Sequence, residues 1–170
     1  MDLRRYVRDV PDFPKPGILF RDITPLLADG PALRWTVDHL ADRYRGSIDI
    51  VLGIESRGFI IGAALAYALG VGIAIVRKPG KLPAQTYTAT YELEYGSDVL
   101  EIHRDAFGHT ARVLIVDDLL ATGGTASAAI ELVERLQGEI VECAVIIELS
   151  FLHGRQRVAP HPVYSIIQYE

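Results

Sequence analysis

Short, uninterrupted apolar runs alternate along this chain with segments of helical spacing, and this alternation constrains the fold most strongly. Residues 49–54 form one such run, which is typical of a strand buried on both faces. A polar break follows at 55–58, then apolar residues at helical spacing, then a second apolar run at 72–76. Residues 49–76 therefore predict a strand–helix–strand unit with parallel strands and a right-handed crossover.

The same alternation continues to the C-terminus. Further strands are predicted at 113–116, 140–149 and 163–167. Helical spacing from Pro31 predicts a helix that ends at Gly46. Three prolines within 10–17 are expected to exclude regular structure there. The pattern predicts an α/β fold with a doubly wound, mostly parallel sheet, and the length of 170 residues suits a single domain over 1–170.

Residues 77–90 are predicted to form a long mobile loop. The stretch holds prolines, threonines and basic side chains but few residues that could be buried. Long loops in compact domains are usually functional. Residues 91–94 and 99–102 then flank a turn at 95–98, which predicts a β-hairpin.

The composition excludes several classes of function. A net charge of −5 gives no support to nucleic-acid binding, and no apolar run is long enough to span a membrane. The single cysteine, Cys143, cannot form an internal disulfide, and its apolar neighbours indicate an inert thiol in a buried strand. The first residues lack the apolar core of a signal peptide, so a cytoplasmic location is expected.

Residues 113–125 carry the strongest chemical signal. An apolar strand ends in Asp117 and Asp118, a turn is expected at 119–121, and Thr-Gly-Gly-Thr at 122–125 leads into a helix. Glycines let the backbone approach an anion, and the N–H groups of a helix start donate to it. The two carboxylates would repel a polyphosphate but bind ribose hydroxyls, so the segment predicts a site for a sugar with one terminal phosphate. It lacks the Gly-Lys-Ser/Thr of a P-loop, and the alternative is a strand–turn–helix with acids by chance.

This segment resembles the phosphoribosyl-pyrophosphate (PRPP) motif of the type I phosphoribosyltransferase family. The resemblance implies that Asp117 and Asp118 hold the ribose 2′- and 3′-hydroxyls. It also implies a phosphate loop for the 5′-phosphate, formed by Ala121, Thr122, Gly123, Gly124 and Thr125. Further segments resemble the adenine-specific branch of the family, in the same order along nearly the whole chain: 13–25, 53–59, 77–83, 93–96 and 165–170.

The resemblance also implies a pyrophosphate subsite covered by a flexible hairpin and loop, or lid. Its expected members are Ser56, Arg57, Arg77, Lys78 and Lys81. From the residues alone, the position of Arg57 between a strand and a helix suits anion binding. For Arg77, Lys78 and Lys81 the alternative is an ordinary solvated surface, which is the usual setting of basic clusters in loops. The resemblance further implies a cis peptide between Glu55 and Ser56.

Base binding and proton transfer are assigned to other segments. The resemblance implies a small N-terminal base-binding hood, with adenine contacted by Leu19, Phe20, Arg21 and Leu149. Leu19–Arg21 would place an aromatic face in an otherwise irregular loop, where a flat purine could stack; a packed loop with a surface arginine is the alternative. Glu94 is the candidate general acid–base and Tyr95 would close on pyrophosphate, although Glu94 alone resembles an ordinary surface carboxylate.

The implied reaction is purine salvage: adenine and PRPP give AMP and pyrophosphate. Mg²⁺ is expected as cofactor, bound through PRPP and not by a protein cage, and the resemblance implies a homodimer. Three alternatives stay open: a phosphoribosyltransferase for another base, a non-enzymatic PRPP-sensing regulator, and a nucleotide-binding domain without chemistry. The acidic charge, the lack of an added domain and the presence of Lys81, Glu94 and Tyr95 favour the enzyme.

Overall fold

The computed structural model describes residues 1–92 and 96–170; Leu93, Glu94 and Tyr95 lie outside the described residues. The described chain forms two compact units, residues 1–43 and residues 44–170. A single domain over 1–170 stays a prediction.

The first unit contains a small antiparallel hairpin and two helices. A 3-10 helix at Leu3–Tyr6 is followed by β1 (Arg8–Pro11), β2 (Leu19–Asp22), α1 (Thr24–Ala28) and α2 (Gly30–Tyr44), whose last residue opens the second unit. β1 pairs with β2 from Arg8↔Asp22 to Pro11↔Leu19. Regular structure therefore enters 10–17, contrary to the expectation, and Leu19–Arg21 form a strand, not an irregular loop. Pro11 is tolerated because it ends a strand of a two-stranded sheet.

The second unit is an α/β fold with a five-stranded parallel sheet, as predicted. Its strands and helices are β3 (Ile50–Ile54), α3 (Arg57–Leu69), β4 (Gly72–Val76), β5 (Thr86–Glu92), β6 (Ser97–His103), β7 (Arg112–Leu120), α4 (Gly124–Arg135), β8 (Glu139–Leu149), α5 (Gly154–Val158) and β9 (Val163–Tyr169). The sheet order is β4-β3-β7-β8-β9, and each neighbouring pair is parallel. The predicted strand–helix–strand unit at 49–76 is confirmed, with Gly70 ending α3 in a left-handed conformation.

The predicted hairpin is present as β5 and β6, but both strands begin earlier than expected, and Ser97 and Asp98 lie in β6 and not in the predicted turn. Only 77–85 is loop, because the strand starts at Thr86 and pairs with β6 as far as Glu92↔Ser97. Along β5 the buried Ala89 and Tyr91 alternate with exposed residues. Threonines on the outer face of a strand gave this segment its loop-like composition, although threonine is a good strand former.

The core of the second unit lies between the sheet, α4 and the hairpin. Leu52, Ile115, Val133 and Leu100 are almost completely buried members of one apolar cluster. This packing holds the carboxyl ends of β3 and β7 beside the start of α4. Among the described residues, no helix combines the length and apolarity needed to cross a membrane.

Candidate active site

A cavity of about 350 Å³ lies where β3 and β7 end and α4 begins. Ligands of open parallel sheets bind at this edge. Many of the predicted site residues line the cavity: Ser56, Arg57, Lys78, Asp117, Asp118, Ala121, Thr122, Gly123, Gly124 and Thr125. The structure therefore brings the predicted ribose, phosphate and pyrophosphate subsites together within the second unit.

The phosphate loop is shorter than the sequence indicated. A turn was expected at 119–121, but β7 runs through Leu120, which pairs with Glu148 of β8. Leu120 is almost fully buried, and burial of this apolar side chain favours continuation of β7 to Leu120. The loop proper is Ala121–Gly123, and the Ser127 N–H donates to the Gly123 carbonyl at 2.9 Å in the first turn of α4. Free N–H groups of a helix start suit a phosphate group.

Two glycines let the phosphate loop lie directly against α5. Gly123 has φ +82°, and a Cβ there would lie 2.6 Å from the Gly154 carbonyl oxygen. A Cβ on Gly154 would collide with the Ala121 carbonyl oxygen and lie 3.1 Å from the Gly123 nitrogen. Gly154 could not be predicted, because no residue near it in the chain indicates that it contacts the phosphate loop.

Asp117 and Asp118 lie side by side next to Arg57. Asp118 is 6% exposed and forms an ion pair with the Arg57 guanidinium, while its N–H donates to Asp117 Oδ1 at 2.8 Å. Removal from water, together with the Asp118 charge, raises the pKa of Asp117 well above its ordinary range. A Cβ on Gly58 would lie 2.7 Å from the Val116 carbonyl oxygen, so α3 begins in close contact with β7. That contact places Arg57 against the carboxylates.

Glu55 is a site residue that sequence reasoning did not select. The Glu55–Ser56 peptide is cis, as the resemblance implied. The Glu55 carboxylate accepts the Lys78 N–H at 2.7 Å and an Arg77 N–H at 3.2 Å. Burial acts to raise the pKa of Glu55, but hydrogen bonds from Lys78 and Arg77 outweigh it and hold the pKa below its ordinary value. Glu55 thus ties the start of the 77–85 loop to the end of β3.

Lys78 is held at the cavity by two residues of the hairpin. Its ammonium donates to the Tyr91 hydroxyl at 2.9 Å and forms an ion pair with Asp98, and the Tyr91 hydroxyl donates to Asp98 at 3.2 Å. Burial acts to lower the pKa of Lys78, but hydrogen bonds with Asp98 and Tyr91 raise it above its ordinary value. Tyr91 and Asp98 were missed, although the alternation of β5 places Tyr91 inward and Tyr91 pairs with Asp98.

Three predicted residues of the second unit do not line the cavity. Arg77 hydrogen-bonds Glu55, and its guanidinium lies 5.8 Å from the centre of the Phe59 ring. Lys81 is exposed in the loop, and Leu149 is half-buried at the end of β8. Their roles in binding stay predictions.

The remaining predicted residues lie in the hairpin of the first unit or outside the described residues. Leu19 is 44% exposed on β2, and the Phe20 ring stands edge-on to Phe13 at 5.1 Å. Arg21 forms an ion pair with Asp9, its cross-strand partner. Glu94 and Tyr95, the predicted catalytic residues, fall outside the part of the chain that the structure describes.

The donor chemistry of the cavity suits a hard cation carried by a substrate. Asp117 and Asp118 offer carboxylate oxygens, the ligand type that Mg²⁺ prefers, but Asp118 is already paired with Arg57, and Glu55 with Lys78 and Arg77. Within 1–92 and 96–170, no three histidine, cysteine or acidic side chains are grouped as a protein cage for a metal would require. The lining therefore suits Mg²⁺ that arrives on a phosphate substrate, with substrate and water oxygens as most of its ligands.

Comparison with known proteins identifies the class. The family profile of the phosphoribosyl transferase domain matches residues 27–167, and the chain therefore belongs to the phosphoribosyltransferase family. An adenine phosphoribosyltransferase of Trichlorobacter lovleyi is 55% identical over 169 residues, which cover 99% of each chain. Within the family, the chain belongs with the adenine phosphoribosyltransferases.

Solved structures agree with this assignment. The adenine phosphoribosyltransferase of Thermoanaerobacter pseudethanolicus superimposes with a TM-score of 0.96 at 49% identity, covering 99% of this chain and 98% of that one. The Saccharomyces cerevisiae enzyme, complexed with adenine and an imino-altritol bisphosphate, gives a TM-score of 0.92 at 44% identity, covering 97% and 96% of the two chains.

Proposed function

We propose that this protein is a purine salvage enzyme that transfers the 5-phosphoribosyl group of PRPP to adenine, giving AMP and pyrophosphate. One observation carries the proposal: a single cavity joins a carboxylate pair, a glycine-rich phosphate loop at a helix start, and the cations Arg57 and Lys78. These groups match the hydroxyls, the 5′-phosphate and the pyrophosphate of PRPP. The full-length similarity to adenine phosphoribosyltransferases, one solved with adenine, supports adenine as the base.

The reaction needs the ribose to be held while its anomeric carbon changes partner. Asp117 and Asp118 accept hydrogen bonds from the ribose hydroxyls, and residues 121–125 bind the 5′-phosphate. A nitrogen of adenine then bonds to the anomeric carbon as the bond from that carbon to pyrophosphate breaks, and pyrophosphate leaves with the electron pair. The transition state resembles an oxocarbenium ion, as in glycoside hydrolysis.

Negative charge develops on the departing pyrophosphate, and the site must stabilise it. Arg57 and Lys78 line the cavity, and Ser56 at the start of α3 adds a hydroxyl donor. Arg57 is also paired with Asp118, so one side chain links the ribose and pyrophosphate subsites. Mg²⁺ carried by PRPP would supply further positive charge to the pyrophosphate oxygens. Arg77 and Lys81 complete the lid.

The base subsite is assigned to Leu19, Phe20, Arg21 and Leu149. Leu19 and Phe20 stand on a short strand next to another aromatic ring, which supports stacking of a flat purine. Glu94 takes the proton that adenine loses when its nitrogen bonds to the sugar, and Tyr95 closes on pyrophosphate.

We further propose a homodimer that works in the cytoplasm. The outer face of α3 exposes Ile60 at 49% and Tyr67 at 90%, and Ile73 on the edge strand β4 is 38% exposed. Large apolar side chains grouped on a surface are typical of subunit interfaces. Light scattering after size-exclusion chromatography tests the dimer, and Tyr67→Glu should shift it toward monomer.

A product assay with PRPP, Mg²⁺ and each purine in turn tests the activity. AMP formed from adenine, with no nucleotide from hypoxanthine or xanthine, is the expected result. Product from a 6-oxopurine alone would identify a different base specificity. No product with any base would refute the enzyme.

A further inference from the structure

A buried carboxylate near the end of β8 takes part in a dense hydrogen-bond network. Glu148 is 3% exposed, and Arg155 donates to its two oxygens from Nε and Nη2, each at 2.6 Å. Arg155 Nη1 also donates to the Val163 carbonyl at 2.7 Å, and the Ser165 hydroxyl donates to Glu148 at 2.6 Å. Arg155 thus joins α5 to both β8 and β9.

The network does more than add stability to the core. The Arg155 side chain is 43% exposed, whereas that of Glu148 is buried, and an ion pair with one solvent-exposed partner contributes little net stability. α5, however, has only five residues, and so short a helix does not hold its own position. Arg155 is its second residue, so the contact with Glu148 determines where α5 begins.

The start of α5 is the part that meets the phosphate loop. Gly154, next to Arg155, leaves no room for a methyl group against Ala121, and its carbonyl oxygen would be 2.6 Å from a Cβ on Gly123. Glu148 itself pairs with Leu120, the last strand residue before the loop. A continuous path of contacts therefore leads from the buried carboxylate through Arg155 and Gly154 to the backbone of the loop.

We propose that Glu148 and Arg155 are positioning residues for the 5′-phosphate subsite, holding α5 so that its first residue supports the phosphate loop in its anion-binding conformation. Neither side chain lines the cavity. The inference rests on the proposed function for the identity of the ligand, and it extends the set of residues that the reaction depends on. It also requires that disruption of the Glu148–Arg155 contact weaken the binding of a sugar phosphate more than the binding of pyrophosphate.

Arg155→Met tests the inference, with binding measured calorimetrically for ribose 5-phosphate alone and for pyrophosphate with Mg²⁺. We expect the affinity for ribose 5-phosphate to fall by about tenfold, as a displacement of less than 1 Å in a binding loop would cause, and that for pyrophosphate to change less than about twofold. Arg155→Lys keeps the charge but loses the two-pronged contact. It should show the same split, and it decides the question if Arg155→Met does not fold.

Arg112 provides a matched control at the other end of the sheet. It contacts Asp49 through Nε and Nη2, at 3.1 and 2.8 Å, and the Gly46 carbonyl through Nη1 at 3.1 Å, which reproduces the bonding of Arg155. Arg112→Met and Arg112→Lys should leave both affinities unchanged. The inference would be overturned if the Arg155 variants lost affinity equally for both ligands, or lost none. It would also be overturned if the wild type did not bind ribose 5-phosphate. If the Arg155 variants show the split but the wild type makes no AMP, the proposed function is refuted and the positioning role stands.

Discussion

Replacing Gly123 by alanine tests whether the phosphate loop needs both its left-handed backbone and its contact with α5. The new Cβ would lie 2.6 Å from the Gly154 carbonyl oxygen, whereas an ordinary contact begins at 3.4 Å. Either the loop or α5 must therefore move by about 0.8 Å, and a displacement near 1 Å in a binding site costs up to about a hundredfold in function. We expect the affinity for ribose 5-phosphate to fall at least about tenfold.

The effect on stability can be divided between two causes. An alanine at φ +82° costs about 1–2 kcal/mol, and overpacking against backbone adds about 1–3 kcal/mol. Gly46→Ala is the control, because Gly46 has φ +76° and no atom lies within 4 Å of the position of its Cβ. Gly46→Ala should therefore lose only about 1–2 kcal/mol of unfolding free energy and leave ligand binding unchanged.

Urea unfolding followed by circular dichroism measures the stability of both variants, and calorimetry measures ribose 5-phosphate binding. Gly123→Ala should be less stable than Gly46→Ala by about 1–3 kcal/mol. Equal stabilities, together with unchanged binding in Gly123→Ala, would refute the close contact between the loop and α5.

Three further predictions concern pH, thiol reactivity and turnover. Hydrogen bonds from Arg112 lower the pKa of Asp49 to about 2, so their stabilisation is complete above about pH 4 and lost as the pH falls toward 2. The stability gap between wild type and Arg112→Met, measured in urea at pH 5, 4 and 3, should narrow in acid; a constant gap would contradict the pairing. Burial raises the pKa of the Cys143 thiol to about 12, so a disulfide reagent at pH 8 should modify this thiol only after unfolding in urea. Rapid reaction of the folded protein would contradict the burial of Cys143. Glu94→Gln should lower kcat by about 10²–10⁴ without changing the unfolding midpoint, and near-normal turnover would exclude Glu94 as the acid–base.

The parts of the fold that could be predicted are those whose signal is local. β3, α3 and β4 follow from two apolar runs and one helical stripe, because strands covered on both faces are apolar throughout. α5 gave no such signal, since its five residues are held by a contact between Arg155 and Glu148. β1 and β5 were missed in part for a related reason: prolines and threonines resemble loop residues until a paired strand is known.

The same distinction separates the site residues that were predicted from those that were missed. Residues 117–125 are contiguous, so the chemistry of a ribose phosphate site can be read from one segment. Glu55 and Asp98, by contrast, act through Lys78, which lies 23 residues from the first and 20 from the second. In the sequence, such a carboxylate cannot be told from an ordinary surface charge, because its role depends on which cation the fold places beside it. Residues predicted to touch the ligand are thus concentrated in motifs, whereas residues that hold them in position are scattered along the chain. Substitutions that alter substrate affinity without contacting substrate should accordingly be sought first among buried or half-buried carboxylates whose cation lies on another element, of which Glu55, Asp98 and Glu148 are examples.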